Sequence, residues 1–405
     1  MTYLNLLKKI SLVSVGNILN AGFGLIFLTA GARALNIADF GRYALLTTLL
    51  VFMSKVVDLG SNSVFVAVTP DTKNKPLLIK NFYTLKILLY ILASTLSVIV
   101  LIILGFSSTP ILVIFLVGLL FYSVNVTLFA VFQSTEMFTH AVLLNTIPAF
   151  FKALVGGLIL LSVFEPSFLL VFGVFSISMA LCAVLYFFIP GEFRVGANFR
   201  GGFIPIFKTS LPAGISQLVS QGWPAVSNTI LKISKGFSDV GVFYLADKVA
   251  SVFSLISLSI FTVILPKNAR RKKENLPHDL KETGFLALLI LITAVGFVGV
   301  SGVFVKTVFG EKYAGSLIIL DILIVASAFS AIHAFMENYF YIHNRTGTIM
   351  HIALIKLVVF IGLALILMPT WSLRGLALSQ LLSAVVGLLL ITGSTLRLRR
   401  EGEKA

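Results

Sequence analysis

Apolar stretches long enough to cross a bilayer follow one another from end to end of this chain, at a spacing of roughly 34 residues that equals one spanning helix plus a short loop. They fall at 10 to 30, 43 to 68, 83 to 106, 110 to 133, 141 to 164 and 167 to 190, and again at 205 to 231, 240 to 266, 283 to 305, 316 to 342, 347 to 367 and 373 to 395. With 58% hydrophobic and only 12% charged residues, the chain has more apolar surface than a water-soluble core could hide, since soluble domains carry about a quarter charged residues. The expected class is an all-α membrane protein of about twelve spans. Lys8 and Lys9 before the first run resemble a secretory leader, but that run is longer than a leader core and is read as an uncleaved first span.

Basic loops resist translocation, so the distribution of Lys and Arg orients the spans. With the N-terminus inside, 18 basic residues fall in cytoplasmic segments, among them the run from Lys267 to Lys281, and 7 fall outside. An even number of spans then places both ends in the cytoplasm. The formal charge of +15 is therefore read as topology, with no nucleic-acid partner expected.

The two halves carry a short repeat. Asp39-Phe40-Gly41-Arg42-Tyr43-Ala44-Leu45 enters the second span, and Asp239-Val240-Gly241-Val242-Phe243-Tyr244-Leu245 enters the eighth. Both spans end at a proline, Pro70 or Pro266. Since each half holds an even number of spans, the repeat is parallel, and it divides the chain into lobes 1–195 and 196–405.

A charge at the bilayer centre costs about 2.5–3.5 kcal/mol on insertion scales, so such groups normally face a partner or a wet cavity. Lys55, Lys152 and Lys356 lie near the middle of the second, fifth and eleventh spans, and Lys248 lies in the eighth beside Asp247. An ion pair between Lys55 and Asp58, three residues on, is the plain structural alternative for the first of these. Lys86 and Lys208, nearer the span ends, are read as snorkelling and without function. Asp58, Asp247, Asp321, His333 and Glu337 are candidates for ion coupling, His333 and Glu337 sharing one helical face. Pro212 and Pro224 would interrupt the seventh helix and suit a gating element.

Phosphate-loop, HExxH, paired CxxC and GxSxG elements are all missing, and no loop is long enough to house an enzyme's site. No catalytic residue, metal site or cofactor is expected; H+ and Na+ stay open as coupling ions. The one cysteine, Cys182, lies in an apolar run, allows no intrachain disulfide and reads as a small core residue.

Five segments carry a resemblance that spans nearly the whole chain. Ala32-Arg33-Ala34-Leu35-Asn36 precedes Asp39-Phe40-Gly41-Arg42-Tyr43 after the first span, and Asp58-Leu59-Gly60 stands at the second. Phe309-Gly310-Glu311-Lys312-Tyr313 precedes the tenth span, and Trp371-Ser372-Leu373-Arg374-Gly375-Leu376-Ala377 precedes the twelfth. In these the sequence resembles the multidrug/oligosaccharidyl-lipid/polysaccharide exporter superfamily, and within it the O-antigen and related polysaccharide flippases. It departs from many relatives in Ser61 to Thr69, which holds no basic residue.

The resemblance implies two six-helix lobes around a central cavity. It also implies transfer of polyprenyl-pyrophosphate-linked oligosaccharide from the cytoplasmic to the outer leaflet of the inner membrane by alternating access. Lys55, Lys152, Lys248 and Lys356, with Arg33 at the outer mouth, are then expected to attract the anionic head group. The expected partners are that substrate and membrane lipids, with polysaccharide polymerase machinery a further candidate and a monomer the expected state. A drug or metabolite-cation antiporter of the same superfamily is the alternative, and a membrane polysaccharide polymerase or transferase a third reading.

Overall fold

Because hydrocarbon offers no hydrogen bonds, a spanning backbone must satisfy itself, and every regular element among the described residues is helical. The computed structural model describes residues 3–70, 72–163, 165–200, 202–251, 280–342 and 345–402. Nine helical stretches among them are long and apolar enough to cross a membrane. The chain is a multi-pass membrane protein of the all-α class.

The first compact unit comprises Met1–Gly241 and the second Val242–Ala405, whereas the sequence repeat suggests a division near residue 195. The first holds α1 (Tyr3–Ala34), α2 (Ile37–Asp58), α3 (Ser61–Val68), α4 (Lys75–Ile103), α5 (Thr109–Ser134), α6 (Phe138–Leu160) and α7 (Phe168–Ile177). A 3-10 segment, Ser178–Phe188, continues α7, and α8 (Ile204–Gln221), α9 (Trp223–Ser234) and the start of α10 (Phe237–Ala250) follow. The second unit contains the rest of α10, then α11 (Leu280–Phe309), α12 (Leu317–Ile342) and α13 (Thr346–Gly402). Non-helical Ser372 and nearby Pro369 divide α13 into the two spans expected there. The expected eighth span starts in α10, and most of its remainder lies outside the described residues with the basic run Lys267–Lys273.

Local chemistry sets the helix ends. Asn36 caps α2 by accepting from the Asp39 amide at 2.8 Å and donating to the Asp39 carboxylate at 2.8 Å, while Arg42 donates to the same carboxylate at 2.6 Å. The motif before the second span is thus a helix start that satisfies orphan amides. Asn74 and Ser167 do the same for α4 and α7.

The second span is broken at Leu59 and Gly60, both left-handed at φ 41° and 72°. Glycine is required at the second position by space as well: a Cβ there would stand 2.6 Å from the Gly214 amide nitrogen and the Ser210 carbonyl. Residues 204–241 therefore pack against the second span by close backbone approach. At its other end Gly41 meets the Phe237 carbonyl, and a Cβ on Gly241 would lie 2.5 Å from the Ile37 carbonyl. Phe237 and Ile37 each precede their own glycine by four residues, so Gly41 and Gly241 meet reciprocally within the first unit.

Proline inside α6 leaves a carbonyl without a helical donor. Pro148 has no N–H, which orphans the Leu144 oxygen. Asn125 donates to that oxygen at 2.9 Å and the Cys182 thiol at 2.8 Å. Cys182 is buried as expected, and it also helps satisfy the α6 kink.

Candidate functional site

In the first unit the break in the second span gathers polar groups from α2, α3 and α4. Asp58 ends α2, and its Oδ1 accepts from the Asn62 amide at 3.1 Å and from the Lys86 ammonium at 3.1 Å. Lys86 also donates to the Val57 carbonyl at 3.4 Å and lies 5.1 Å from the centre of the Phe82 ring. A cation at a helix C-terminus meets unpaired carbonyls and the negative end of the dipole. Both partners are buried, Lys86 at 5% exposure and Asp58 at 7%.

The snorkelling assigned to Lys86 is therefore corrected. Helix α4 begins at Lys75, which puts Lys86 about 16 Å along its axis, beyond the reach of a lysine stem. The ion pair expected between Lys55 and Asp58 is replaced by the pair from α4. Lys55 stays half-buried one turn away, within Coulombic range of Asp58. Among the described residues the cluster holds two lysines, Lys55 and Lys86, for one carboxylate.

Lys152 lies in α6 one turn beyond Pro148. Its ammonium sits 4.8 Å from the centre of the Phe175 ring. Phe175 meets Tyr43 edge-on at 5.9 Å and stacks near Tyr122 at 6.1 Å. Arg33 is exposed in the last turn of α1.

Two polar groupings occupy the second unit. His333 Nδ1 lies 3.3 Å from Glu337 Oε1 on α12, as the spacing of four residues implies. His333 is 4% exposed and its Nε2 has no hydrogen-bond partner among the described residues. Lys356 on α13 interacts electrostatically with Glu337, and its stem packs on Gly387. In the second grouping, Asp247 is hydrogen-bonded to Gln380, and Lys248 lies 5.5 Å from the centre of the Tyr244 ring. Asp321 accepts from Ser301 at 2.9 Å and belongs to neither.

Of the two prolines expected to interrupt the seventh helix, Pro224 lies in the first turn of α9, just past the α8–α9 junction at Gly222. Pro212 is accommodated within a continuous α8, two residues from the Gly214 contact. No group of three or more His, Cys, Asp and Glu suited to a metal occurs among the described residues.

Sequence reading misassigned Lys86 and missed Phe175 and Gln380. The first could have been found from the cap at Asn74, which fixes how deep the helix carries Lys86. Nothing local marks the other two, because their partners lie on other helices.

The family model described as polysaccharide biosynthesis protein matches residues 6–272, well over half of the chain. The chain belongs to the polysaccharide biosynthesis protein family. A second model, lipid II flippase MurJ, matches residues 193–401 of this family member. Among solved structures, lipid II flippase MurJ in an inward closed conformation is similar at TM-score 0.76 and 18% identity, over 95% of this chain and 87% of that one. An inward-facing multidrug resistance MATE family transporter of the MOP superfamily is similar at TM-score 0.70 and 14% identity, over 93% and 96%. An outward-facing one is similar at 0.66 and 13%, over 98% and 97%. No curated protein matches the chain. At these identities the structures establish the fold alone, and the family models establish a flippase-like polysaccharide biosynthesis protein.

Proposed function

We propose that this family member moves a polyprenyl-pyrophosphate-linked oligosaccharide, such as an O-antigen or other surface-polysaccharide repeat unit, from the cytoplasmic to the outer leaflet of the inner membrane by alternating access. One observation carries the reading. The spans of the first unit hold Lys55 in the last turn of α2, Lys86 within α4 and Lys152 within α6, with Lys86 paired to Asp58. Positive charge in a low-dielectric setting favours an anionic ligand. A pyrophosphate and a string of hydroxyls need such a path, while the polyprenyl tail can stay in lipid. Lysine, a point charge, can release phosphate more readily than a bidentate arginine.

Both termini are assigned to the cytoplasm, and the protein acts as a carrier without catalysis, as a monomer, with polymerase machinery as its neighbour. Coupling is assigned to the His333–Glu337 pair, whose short separation, with no hydrogen bond to Nε2 among the described residues, suits H+ better than Na+.

A second reading, export of drug or metabolite cations, draws support from the second unit, where helices α10 and α12 carry the carboxylates Asp247, Asp321 and Glu337. The test is replacement of Lys152 or Lys356 by Ala, followed by glycan export and cation efflux in cells. Loss of glycan export with normal membrane insertion is expected. Full glycan export in both variants would overturn the proposal, and loss of cation efflux alone would support the antiporter.

A further inference from the structure

Helices α8 and α9 run antiparallel to the second span along its length. Gly214 meets the backbone at Leu59 and Gly60, Gly222 lies against the Phe52 ring, Asn228 donates to the Thr48 hydroxyl at 3.3 Å, and Gly241 of α10 meets the Ile37 carbonyl. The stretch they follow, Ile37–Val68, is apolar enough to cross a membrane, so α8 and α9 lie at the depth of the bilayer as well. Yet neither is among the helical stretches long and apolar enough to cross one. A polar helix at that depth must turn its polar side to protein or to water.

Three sides of α8 differ in character. Ile206, Ser210 and Gly214, at intervals of four, are buried. Leu211, Ile215 and Val219, also at intervals of four, form an apolar side. Thr209, Ser216, Gln217 and Ser220, spaced as i, i+7, i+8 and i+11, form the third; Thr209 and Ser220 are exposed, Ser216 and Gln217 half-buried. The Thr209 hydroxyl donates to the Pro205 carbonyl at 2.9 Å and the Ser220 hydroxyl to the Gln217 carbonyl at 3.2 Å, which leaves the lone pairs of both oxygens as acceptors. Pro212 and Pro224 offer no N–H to the carbonyls four residues earlier, those of Lys208 and Ser220. All these groups are uncharged, and no Asp, Glu, Lys or Arg lies between Lys208 and Lys232. A pyrophosphate is bound through charge. A neutral polyol instead needs closely spaced groups that both donate and accept, which hydroxyls and carboxamides supply.

We propose that the polar side of α8 is the subsite for the glycan of the lipid-linked substrate: Thr209, Ser216, Gln217 and Ser220 hydrogen-bond sugar hydroxyls, while the lysines of the first unit attract the pyrophosphate. This rests on the reading of the substrate as a lipid-linked oligosaccharide, and it divides recognition between a charged part and a neutral part. The neutral part exchanges hydrogen bonds with water for hydrogen bonds with sugar at small net gain, which suits a carrier that must release what it binds.

The full chain in lipid nanodiscs provides the test. Thr209→Cys, Gln217→Cys and Ser220→Cys, each in a Cys182→Ala background, should react with a charged, water-soluble thiol reagent, and Leu211→Cys and Val219→Cys should not. If the three polar positions do not react, their side does not face water and the proposal fails. Two probes separate glycan from phosphate: the lipid-linked oligosaccharide extracted from the producing cells, and the matching polyprenyl pyrophosphate without sugar. The first should protect Gln217→Cys from the reagent and the second should not. Gln217→Leu and Ser220→Ala should each weaken binding of the first about tenfold, the size of one well-formed hydrogen bond, and leave binding of the second unchanged. Lys152→Ala should weaken both. Equal loss of the two probes in Gln217→Leu and Ser220→Ala, or loss of neither, would overturn the proposal, and the functional reading stands if Lys152→Ala still weakens both. A wild-type protein that binds neither probe would remove the functional reading and the proposal with it.

Discussion

The Lys86 ammonium donates to the Asp58 carboxylate across 3.1 Å, joining two helices that are 28 residues apart in sequence at these positions. Removing one member of a buried pair strands the other, at a cost of about 3–5 kcal/mol. Lys86→Met is therefore expected to lower the unfolding temperature of the purified protein sharply, and Lys86→Met combined with Asp58→Asn to lower it less. A double variant less stable than Lys86→Met would show that the two groups do not act as a pair.

The break at Leu59 and Gly60 makes a second prediction, since Gly60 combines φ 72° with a backbone neighbour 2.6 Å from where a Cβ would stand. Gly60→Ala carries the left-handed penalty of about 1–2 kcal/mol together with a collision against rigid backbone. It should reduce the yield of folded protein and disturb the α2–α8 contact. Ala at Gly157, which has open space around it, should be tolerated. Equal tolerance at both positions would refute the close approach.

Much of the architecture was legible because hydrocarbon leaves the backbone so few choices. The run lengths located the spans, and Ser372 divides the long final helix close to where the apolar pattern is interrupted. Gly41 and Gly241 of the internal repeat meet reciprocally. What could not be read was pairing between helices. Lys55 has Asp58 on its own helix face, yet Asp58 bonds to Lys86 from α4. No one-dimensional spacing reports that choice, and none could have linked Lys152 to Phe175. His333 and Glu337 were legible together because their contact lies within one helix.

The Leu144 carbonyl gives a third prediction. Leaving a buried acceptor unsatisfied costs about 1–3 kcal/mol, so Asn125→Leu should destabilise the protein within that range. Cys182→Ala should cost less, because Asn125 still donates and a thiol is a weak donor. Denaturant titration in detergent would measure both. If Cys182→Ala proved the more damaging, the kink would depend on thiol packing rather than on the hydrogen bond. The buried thiol should also resist alkylation in the folded protein.

The last prediction concerns what drives transport. Glu337 lies 3.3 Å from His333 and within the field of Lys356, so one carboxylate serves two basic groups from α12 and α13. A proton arriving at Glu337 removes the counter-charge of Lys356, and that change of net charge links H+ movement to the state of a proposed substrate lysine. Glu337→Gln fixes the neutral form. It should retain binding of a polyprenyl pyrophosphate but lose acceleration by a proton gradient in proteoliposomes. Wild-type transport should fall on adding a protonophore and should be indifferent to replacing Na+ by K+. Transport by the wild type that survives collapse of the proton gradient would exclude this assignment, and dependence on Na+ alone would transfer the coupling role to another carboxylate, with Asp247 beside Gln380 the next to test.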